Sequence, residues 1–321
     1  MESASSQSDS DLIVVLGATG GLGGALVREL AGRGLRVRAV ARNGSAEIPA
    51  GVEFRAADAE SGEGLAEACA GAGVVVNALN PPYDEWPQRL PPLNRAAIAA
   101  AQEQGARLVF VDNLYAYGPH DGPLTEDASR AATSTKGRVR IGLEEELMAA
   151  DGAGGVRVAI GRVSDYYGPG GPGSVIPALI LEPALAGKPM RWPGSLDQPH
   201  TLHFLPDAAR GLATLVLDER ADGGIWHLPA APAVTGREFT AIVNAALEKP
   251  VKAGTMGKTM LRIGGLFSKD AREMVELAYQ WTAPFVSDAS RFEATFGRIE
   301  TTPHARAVPL TLDAMRGERP A

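Results

Sequence analysis

The chain has 321 residues, of which 45% are hydrophobic and 21% charged, and its formal net charge is −7. These values are ordinary for a globular protein with a sizeable core, and the acidic balance argues against nucleic acid as a partner. The single cysteine, Cys69, excludes an intramolecular disulfide and a cysteine-cluster metal site. We expect it to be a buried helical thiol, and we expect no metal site.

No apolar run of the sequence is long enough to cross a bilayer, so no membrane contact is expected. Residues 1–10 lack the basic and apolar regions of a signal peptide. We expect them to form a short disordered leader. Together with the low cysteine content, this favours a cytoplasmic protein.

The first predicted elements are a strand, a glycine-rich turn and a helix. The apolar run Leu12–Leu16 leads into glycines spaced three residues apart, and a helix-forming segment follows at 25–31. In this order a GxxGxxG string is typical of a dinucleotide site, because glycines let backbone N–H groups approach a pyrophosphate that sits on the positive end of the helix. The residues expected to bind the dinucleotide here are Gly17, Thr19, Gly20, Gly21, Leu22 and Gly23.

The second predicted strand, Val37–Ala41, is followed by Arg42 and Asn43 and has no acidic residue at its tip. In dinucleotide folds an acid at this tip binds the free 2′-hydroxyl of the adenosine ribose, whereas an arginine neutralises a 2′-phosphate. We therefore expect NADP as the cofactor, with NAD as the alternative, and Arg42 as the main phosphate contact. Arg38 or Asn43 could assist, and Arg42 could instead be a solvated loop arginine.

Two more strands are predicted at 52–57 and 74–80. Asp58 follows the first; it could accept a hydrogen bond from the adenine amino group, or it could be a turn or N-cap residue for the next helix. The second strand ends in a loop where we expect Asn77, Ala78 and Leu79 to contact the ribose and nicotinamide. With a helix over 93–104 and a strand over 108–111, the alternation predicts an α/β fold, a doubly wound parallel sheet of the Rossmann type.

These motifs and their order resemble the extended short-chain dehydrogenase/reductase superfamily, the NAD-dependent epimerase/dehydratase family. The resemblance covers most of the first 215 residues. It implies a nucleotide-bound N-terminal Rossmann domain, a smaller C-terminal α+β substrate domain, and an active site between them. The matching pieces are Gly17-Ala-Thr-Gly20-Gly-Leu-Gly23, Asp58, Asn77-Ala78, Asn94, VFVDNLYAYGP at 109–119, DYYGPG at 165–170 and FLPD at 204–207.

The sequence departs from that family at the catalytic motif. Where members similar to the epimerases have Ser or Thr, four residues before a Tyr-Gly pair, this chain has Asn113. The family then uses Tyr-x-x-x-Lys, in which the lysine lowers the pKa of the tyrosine so that the phenolate can exchange a proton. Here Lys136 takes the tyrosine position and Arg140 the lysine position. Since arginine can still donate hydrogen bonds to a ribose, cofactor contact near Lys136 and Arg140 is retained as an expectation.

Several polar residues are candidates for the missing proton-transfer group. Tyr115 could exchange a proton, whereas Tyr117 matches a tyrosine with a packing role in the family. Lys136 could act if burial or a neighbouring cation depressed its pKa. Asp165, where the family has asparagine, could be a general base or the cap of a turn. The candidate catalytic residues are Asn113, Tyr115, Lys136, Arg140 and Asp165, and Lys136 is also a candidate cofactor contact.

The second half is expected to form the substrate lobe. In the layout of the family its first segments line the substrate pocket, with an aromatic wall of Tyr166 and Trp192; an ordinary core role for Trp192 is the alternative. His200 and His203 are expected to point to the same face of an extended segment. The candidate substrate contacts are Tyr166, Tyr167, Trp192, His200 and His203.

The predicted elements of this half begin with a helix over 175–185, a strand and turn over 189–194, and a helix over 208–217 capped by Asp207. A strand over 224–228 and a capping box from Thr235 to Glu238 follow. Further helices are predicted at 258–267, 268–281 and Ser290–Phe296. This helical C-terminal part could pack on the substrate site or against a second copy of the chain in a homodimer.

We expect residues 11–165 to form the NAD(P)-binding domain and 166–321 the substrate-binding lobe, with a segment near 200–228 returning to the first domain. Three functions stay open. The first is an NADP-dependent oxidoreductase or epimerase/dehydratase-type enzyme acting on a hydroxyl or carbonyl group of a small molecule. The second is a redox-neutral isomerase, cyclase or dehydratase on the same scaffold, and the third is a non-catalytic NAD(P)-sensing protein.

Overall fold

A computed structural model describes residues 11–44, 48–171, 174–256 and 275–317. The expected leader and the helix predicted at 258–267 lie outside these residues. The strands are β1 (Leu12–Leu16), β2 (Val37–Ala41), β3 (Glu53–Ala56), β4 (Ala72–Asn77), β5 (Arg107–Asn113), β6 (Val158–Val163), β7 (Tyr166–Tyr167), β8 (Met190–Pro193), β9 (Pro199–His200), β10 (His203–Phe204), β11 (Gly224–His227), β12 (Val234–Thr235) and β13 (Ala253–Met256).

Helices alternate with the strands of the first half and dominate the end of the chain. The helices within the described ranges are α1 (Gly21–Gly32), α2 (Leu65–Cys69), α3 (Trp86–Gln104), α4 (Thr135–Gly152), α5 (Glu182–Leu185), α6 (Leu205–Leu217), α7 (Gly236–Ala245), α8 (Ser290–Phe296) and α9 (His304–Arg316). A π-helical turn, Pro177–Leu181, precedes α5, and short 3₁₀ turns occur at Tyr83–Glu85 and Tyr115–Tyr117.

Seven strands form one parallel sheet in the order β11-β6-β5-β4-β1-β2-β3. One apolar core lies under α3 and α4 and another under α1 and α6, so helices cover both faces. The predicted doubly wound α/β fold is confirmed. The chain runs outward from β1 in one direction and from β4 in the other, which opens a crevice at their carboxyl ends where ligands bind in such sheets.

A third core brings together the helices and short strands of the C-terminal half. It contains Tyr167, Trp192, Phe239, Trp281 and Leu312, all at most 5% exposed. Large aromatic rings supply much of its contact area. None of the helices within the described residues combines the length and the apolar composition that a bilayer span requires.

Two local predictions are corrected by the structure, and two are confirmed. The helix predicted at 93–104 begins at Trp86, because the burial of its apolar side outweighs the prolines of its first turns. Asp207 does not cap α6; it lies inside the first turn, and its carboxylate accepts hydrogen bonds from Thr302 at 2.6 and 2.9 Å. The capping box at Thr235 is present, and Cys69 is buried in α2.

Candidate active site

The glycine turn is held in shape by close backbone contacts. Gly17 has φ = 79°, and a Cβ on it would lie 2.6 Å from the carbonyl oxygen of Ala78. A Cβ on Gly23 would lie 2.3 Å from the carbonyl oxygen of Gly17. Side chains at these two positions would therefore collide with main chain, so the strand-to-helix connection is this tight only with glycine.

The first turn of α1 faces the crevice, and no side chain caps it. Its N-cap is Gly20, and no acidic residue lies in the first turn. Thr19 and Gly20 are exposed. The N–H groups of such a turn have no partners within the helix and carry its positive dipole end, which is the environment that a phosphate prefers.

The end of β4 closes the other side of the same crevice. The N–H of Ala78 donates to the carbonyl of Leu16 at 3.0 Å, and the Asn77 side chain accepts from the N–H of Leu79 at 3.1 Å. The loop expected to meet the ribose and nicotinamide therefore lies against the glycine turn. The structure brings these two groups of predicted cofactor contacts together.

Arg42 and Arg38, the arginine expected to assist it in binding phosphate, lie in different surroundings. Arg42 and Asn43 are exposed beside the crevice. Arg38 points into the protein instead, where it donates to Glu53 at 2.9 Å and to two carbonyl oxygens at the end of α2. A guanidinium with these bonds holds the sheet edge to α2, so the prediction that Arg38 assists in phosphate binding is wrong.

Asp58 forms a turn after β3. Its carboxylate accepts from the N–H of Glu60 at 2.9 Å. The N-cap of α2 is Gly64, so Asp58 does not cap that helix. Of the alternatives weighed from the sequence, the turn is the one the structure contains, and the adenine contact stays a prediction.

Lys136 lies in the first turn of α4 and is 1% exposed. Its Nζ atom is 3.0 Å from the Glu276 carboxylate, which also accepts the backbone N–H groups of Thr135 and Lys136 at 2.8 and 3.2 Å. Burial would raise the pKa of Glu276, but these hydrogen bonds outweigh it and the pKa is lowered. The glutamate thus neutralises the cation at the family's tyrosine position.

Arg140, one turn further along α4, is 4% exposed. It donates to Asp112 and to Asn80, each at 3.2 Å, and its guanidinium lies 4.2 Å from the ring centroid of Trp86. Burial lowers the pKa of Arg140, and the Asp112 carboxylate opposes that effect. Through Asn80 this cation reaches the loop after β4, next to the glycine turn.

Asp112 connects Arg140 to a second buried arginine. Its other oxygen accepts from Arg162 at 2.9 Å, and Arg162, which is fully buried, also pairs with Glu144. Burial would lower the pKa of Arg162, but the two carboxylates outweigh it and the pKa is raised. These charges form one network beneath the site, and a buried network of this kind depends on every partner.

The residues after β5 form a compact turn under the crevice. The Asn113 side chain accepts from the N–H of Tyr115 at 3.0 Å and so holds the turn. The Tyr115 hydroxyl lies 2.8 Å from the hydroxyl of Tyr83. Burial raises the pKa of Tyr83 to about 12 and that of Tyr115 further above its ordinary value. Both phenols therefore stay protonated at neutral pH.

Asp165 and His200 form a buried pair on the opposite side. The carboxylate lies 2.9 Å from Nε2 of His200, and Nδ1 faces the carbonyl of Gln280 at 3.1 Å. The Trp281 ring stacks on the imidazole with a centroid separation of 4.0 Å. The general-base alternative for Asp165 therefore involves a carboxylate that is already hydrogen-bonded to His200.

Burial raises the pKa of four tyrosines in this part of the protein, and the Asp165 charge raises each of these pKa values further. These tyrosines are Tyr83, Tyr115, Tyr166 and Tyr279. Tyr166 in turn borders the start of α1: a Cβ on Gly21 would lie 3.2 Å from its ring and 3.3 Å from its hydroxyl. The polar cluster and the glycine turn are thus adjoining parts of one site.

Comparison with known proteins agrees with this architecture. The model of the NAD-dependent epimerase/dehydratase family matches residues 13–228. The chain belongs to this family. The resemblance inferred from the motifs and the expected enzyme class are therefore confirmed. No curated protein matches the sequence.

Solved structures similar to this family member include two epimerases and a dehydratase. The UDP-glucuronic acid 4-epimerase from Bacillus cereus, in complex with UDP-glucuronic acid and NAD, is 14% identical with a TM-score of 0.79 over 95% of this chain and 99% of that chain. The UDP-glucose 4-epimerase from Thermotoga maritima, with UDP-glucose, is 15% identical with a TM-score of 0.79 over 95% and 99%. The DesIV double mutant (dTDP-glucose 4,6-dehydratase) from Streptomyces venezuelae, with NAD and DAU bound, is 20% identical with a TM-score of 0.77 over 95% and 96%. At these identities the likeness shows the fold.

Three predicted substrate contacts of this family member lie in its interior. The Tyr167 hydroxyl bonds to His304 at 2.7 Å, and Trp192 is 1% exposed in the C-terminal core. His203 accepts from the N–H of Ser164 and donates to the carbonyl of Leu228, and burial lowers its pKa to about 4. Because all three are enclosed, the prediction that they contact substrate is corrected.

The two histidines also do not share a face. His200 belongs to β9 and His203 to β10, and their rings bond to different parts of the chain. Side chains three residues apart along an extended segment point to opposite sides, so the expected common face was wrong. Within the described residues, no group of three or more potential metal ligands is arranged to hold an ion.

Sequence reasoning missed four residues of the site. Tyr83, Asn80 and Trp86 belong to the stretch after β4, which the sequence already places at the carboxyl edge of the sheet, so their position was a usable signal. Glu276 gave no signal, because 140 residues separate it from its partner Lys136.

Proposed function

We propose that this protein binds a nicotinamide dinucleotide at the glycine turn, prefers NADP to NAD, and acts as an oxidoreductase or epimerase/dehydratase-type enzyme on a hydroxyl or carbonyl group of a small molecule. One observation carries the proposal: the uncapped first turn of α1 adjoins a cluster of tyrosines around Asp165. The similar Bacillus cereus and DesIV structures contain NAD, which supports a nicotinamide cofactor.

The residues of the turn fit such a group. A Cβ at Gly17 or Gly23 would collide with main chain, so the backbone is shaped to approach a ligand closely. Gly20, Gly21 and Leu22 would offer N–H groups to the pyrophosphate. The exposed Arg42, at a strand tip without an acid, favours a 2′-phosphate and therefore NADP.

When bound, the dinucleotide would supply or accept a hydride. Side chains of the protein would transfer the proton and form the environment of the reaction. Tyr83, Tyr115 and Asp165 belong to the polar cluster that Tyr166 joins to the glycine turn, and they can hold or exchange a proton at a substrate oxygen. The adjoining rings of Trp86 and Trp281 would limit the access of water to them. The cytoplasm as the compartment and a homodimer as the assembly remain predictions.

Calorimetric titration with NADPH and NADH tests the cofactor. Replacing Arg42 by Ala should weaken NADPH roughly 10- to 100-fold, because a charge-assisted hydrogen bond to a phosphate is lost, and should change NADH binding less than about twofold. Arg157→Ala is the matched control, since this exposed arginine lies just before β6, which is separated from β2 by β5, β4 and β1 in the sheet. Equal losses for both nucleotides would contradict the 2′-phosphate contact, and no binding of either would refute the cofactor.

A panel of small alcohols and ketones, followed by nicotinamide absorbance, tests the activity. Turnover with one of them would support the enzyme proposed here. Tight nucleotide binding without any turnover, together with substrate-independent changes on NADPH binding, would instead favour the sensing alternative. Conversion of a substrate with no net change in the nucleotide would favour an epimerase or another redox-neutral reaction.

A further inference from the structure

The two cations on α4 lie beside a tyrosine that comes from another element. Tyr83 belongs to the 3₁₀ turn after β4, and the Nζ atom of Lys136 lies 5.5 Å from the centroid of its ring. Arg140 is close enough to favour the phenolate form of Tyr83. The combination of a phenol and neighbouring cations, which α4 alone does not contain, is therefore assembled between α4 and this turn.

The Tyr83 ring is held in a defined position. It stacks on Trp86 with a centroid separation of 4.7 Å, and its centroid lies 6.4 Å from that of Tyr115 at an interplanar angle of 24°. Its hydroxyl is 2.8 Å from that of Tyr115. A proton-transfer group must be oriented as well as acidic, and these contacts orient it.

The two phenols are not equivalent. Burial raises both pKa values, but the hydrogen bond and the charge of Arg140 counteract burial at Tyr83, whose pKa reaches about 12, whereas that of Tyr115 goes higher. Either hydroxyl can donate while both are protonated, but once Tyr83 has given up its proton only the Tyr115 hydroxyl can donate, and it then stabilises the Tyr83 phenolate. Tyr83 also lies near Asp165 and Tyr166, and Tyr166 borders Gly21.

We propose that Tyr83 is the proton-transferring tyrosine of this protein, with Tyr115 as its positioning hydrogen-bond donor and Arg140 of α4 as the neighbouring cation that favours its phenolate. This inference rests on the proposed function. In the reducing direction a bound dinucleotide would supply the hydride to the substrate carbonyl carbon. Tyr83 would donate its proton to the carbonyl oxygen, which would leave an alcohol and a Tyr83 phenolate, and the phenolate would regain a proton from solvent.

Replacing Tyr83 by Phe tests the proposal, because the ring that stacks on Trp86 is kept and only the hydroxyl is lost. We expect kcat to fall about 10²- to 10⁴-fold, the usual contribution of a general acid, while the Kd for NADPH changes less than about twofold. Tyr115→Phe should lower kcat less and shift the alkaline limb of the pH profile upward. Tyr167→Phe, the same chemical change in the C-terminal core, should leave kcat and Kd unaltered.

A second measurement does not depend on turnover. With tyrosine labelled at Cζ, the carbon resonance missing from Tyr83→Phe should shift when NADPH is added to the wild-type protein, and the one missing from Tyr167→Phe should not. A Tyr83 resonance that ignores bound NADPH, or a Tyr83→Phe variant with wild-type kcat, would overturn the inference and leave the proposed function standing. Failure of the wild-type protein to bind either nucleotide would instead refute the proposed function.

Discussion

The glycine turn and the α4 site are built from different parts of the chain. The turn is backbone from residues that are neighbours in sequence, held by close contacts with the main chain of Ala78 and Val40. The α4 site is a set of side chains from distant segments, including Tyr83, Lys136 and Glu276. The turn therefore depends on the absence of side chains, whereas the α4 site depends on the pairing of buried charges. Substitutions in the turn should therefore act by steric collision, whereas substitutions in the α4 site should act by loss of charge pairing.

The largest effect is expected at the charges beneath α4. Asp112→Asn would leave Arg140 and Arg162 short of a counter-charge in the interior, which typically costs about 3–5 kcal/mol. Urea unfolding measures this loss of unfolding free energy. Asp313→Asn, which breaks a partly exposed pair with Arg316, is the control and should cost less than about 1 kcal/mol. Equal losses in the two variants would show that the network does not act as a buried unit.

At the glycine turn, Gly23→Ala should act by collision. The new Cβ would meet the Gly17 carbonyl at 2.3 Å, so the main chain must move, at a cost of about 2–3 kcal/mol. NADPH binding should weaken at least about tenfold for the same reason. Gly32→Ala is the control at the other end of α1, where a Cβ meets nothing within 4 Å. If both variants bind NADPH and unfold alike, the close approach at Gly23 is not required.

Acidification should leave the glycine turn unaffected and act on buried histidines outside both regions, with a smaller effect per group. The segment from Gly17 to Gly24 has no titratable side chain, whereas burial lowers the pKa of His203 to about 4 and that of His227 to about 3. Between these values and the ordinary 6.5, the unfolded chain binds protons that the folded chain does not. Stability is therefore complete above about pH 6.5 and falls below it, by about 2 kcal/mol per histidine at pH 5.

Urea unfolding at pH 7.5 and pH 5 checks this dependence. His203→Gln should remove about 2 kcal/mol of the difference between the two pH values. His120→Gln, at an exposed histidine, should leave it unchanged. A His203→Gln protein with the full pH dependence would show that this buried imidazole is not what limits stability in acid.

Particular residues show how far sequence reasoning reached. The strand β1 was predicted with its observed bounds, and α1 was predicted at 25–31 but begins four residues earlier, at Gly21; these predictions succeed because the pattern and its geometry are local. Asp58 had two structural alternatives from sequence and proved to be a turn residue. His200 and His203 looked alike in the sequence, yet one pairs with Asp165 and the other is enclosed between Ser164 and Leu228. Which surroundings each meets depends on packing between distant segments.

The sequence by itself determined the parallel α/β fold, the place of the dinucleotide turn and the absence of a tyrosine from α4. Periodicity and glycine spacing are properties of neighbouring residues, so they can be read without the fold. Only the tertiary structure decided that Glu276 neutralises Lys136 and that Tyr83 stands beside the α4 cations. Such contacts join residues that the chain keeps far apart, and only packing of the sheet, the helices and the C-terminal segments brings them within hydrogen-bond distance or ring contact.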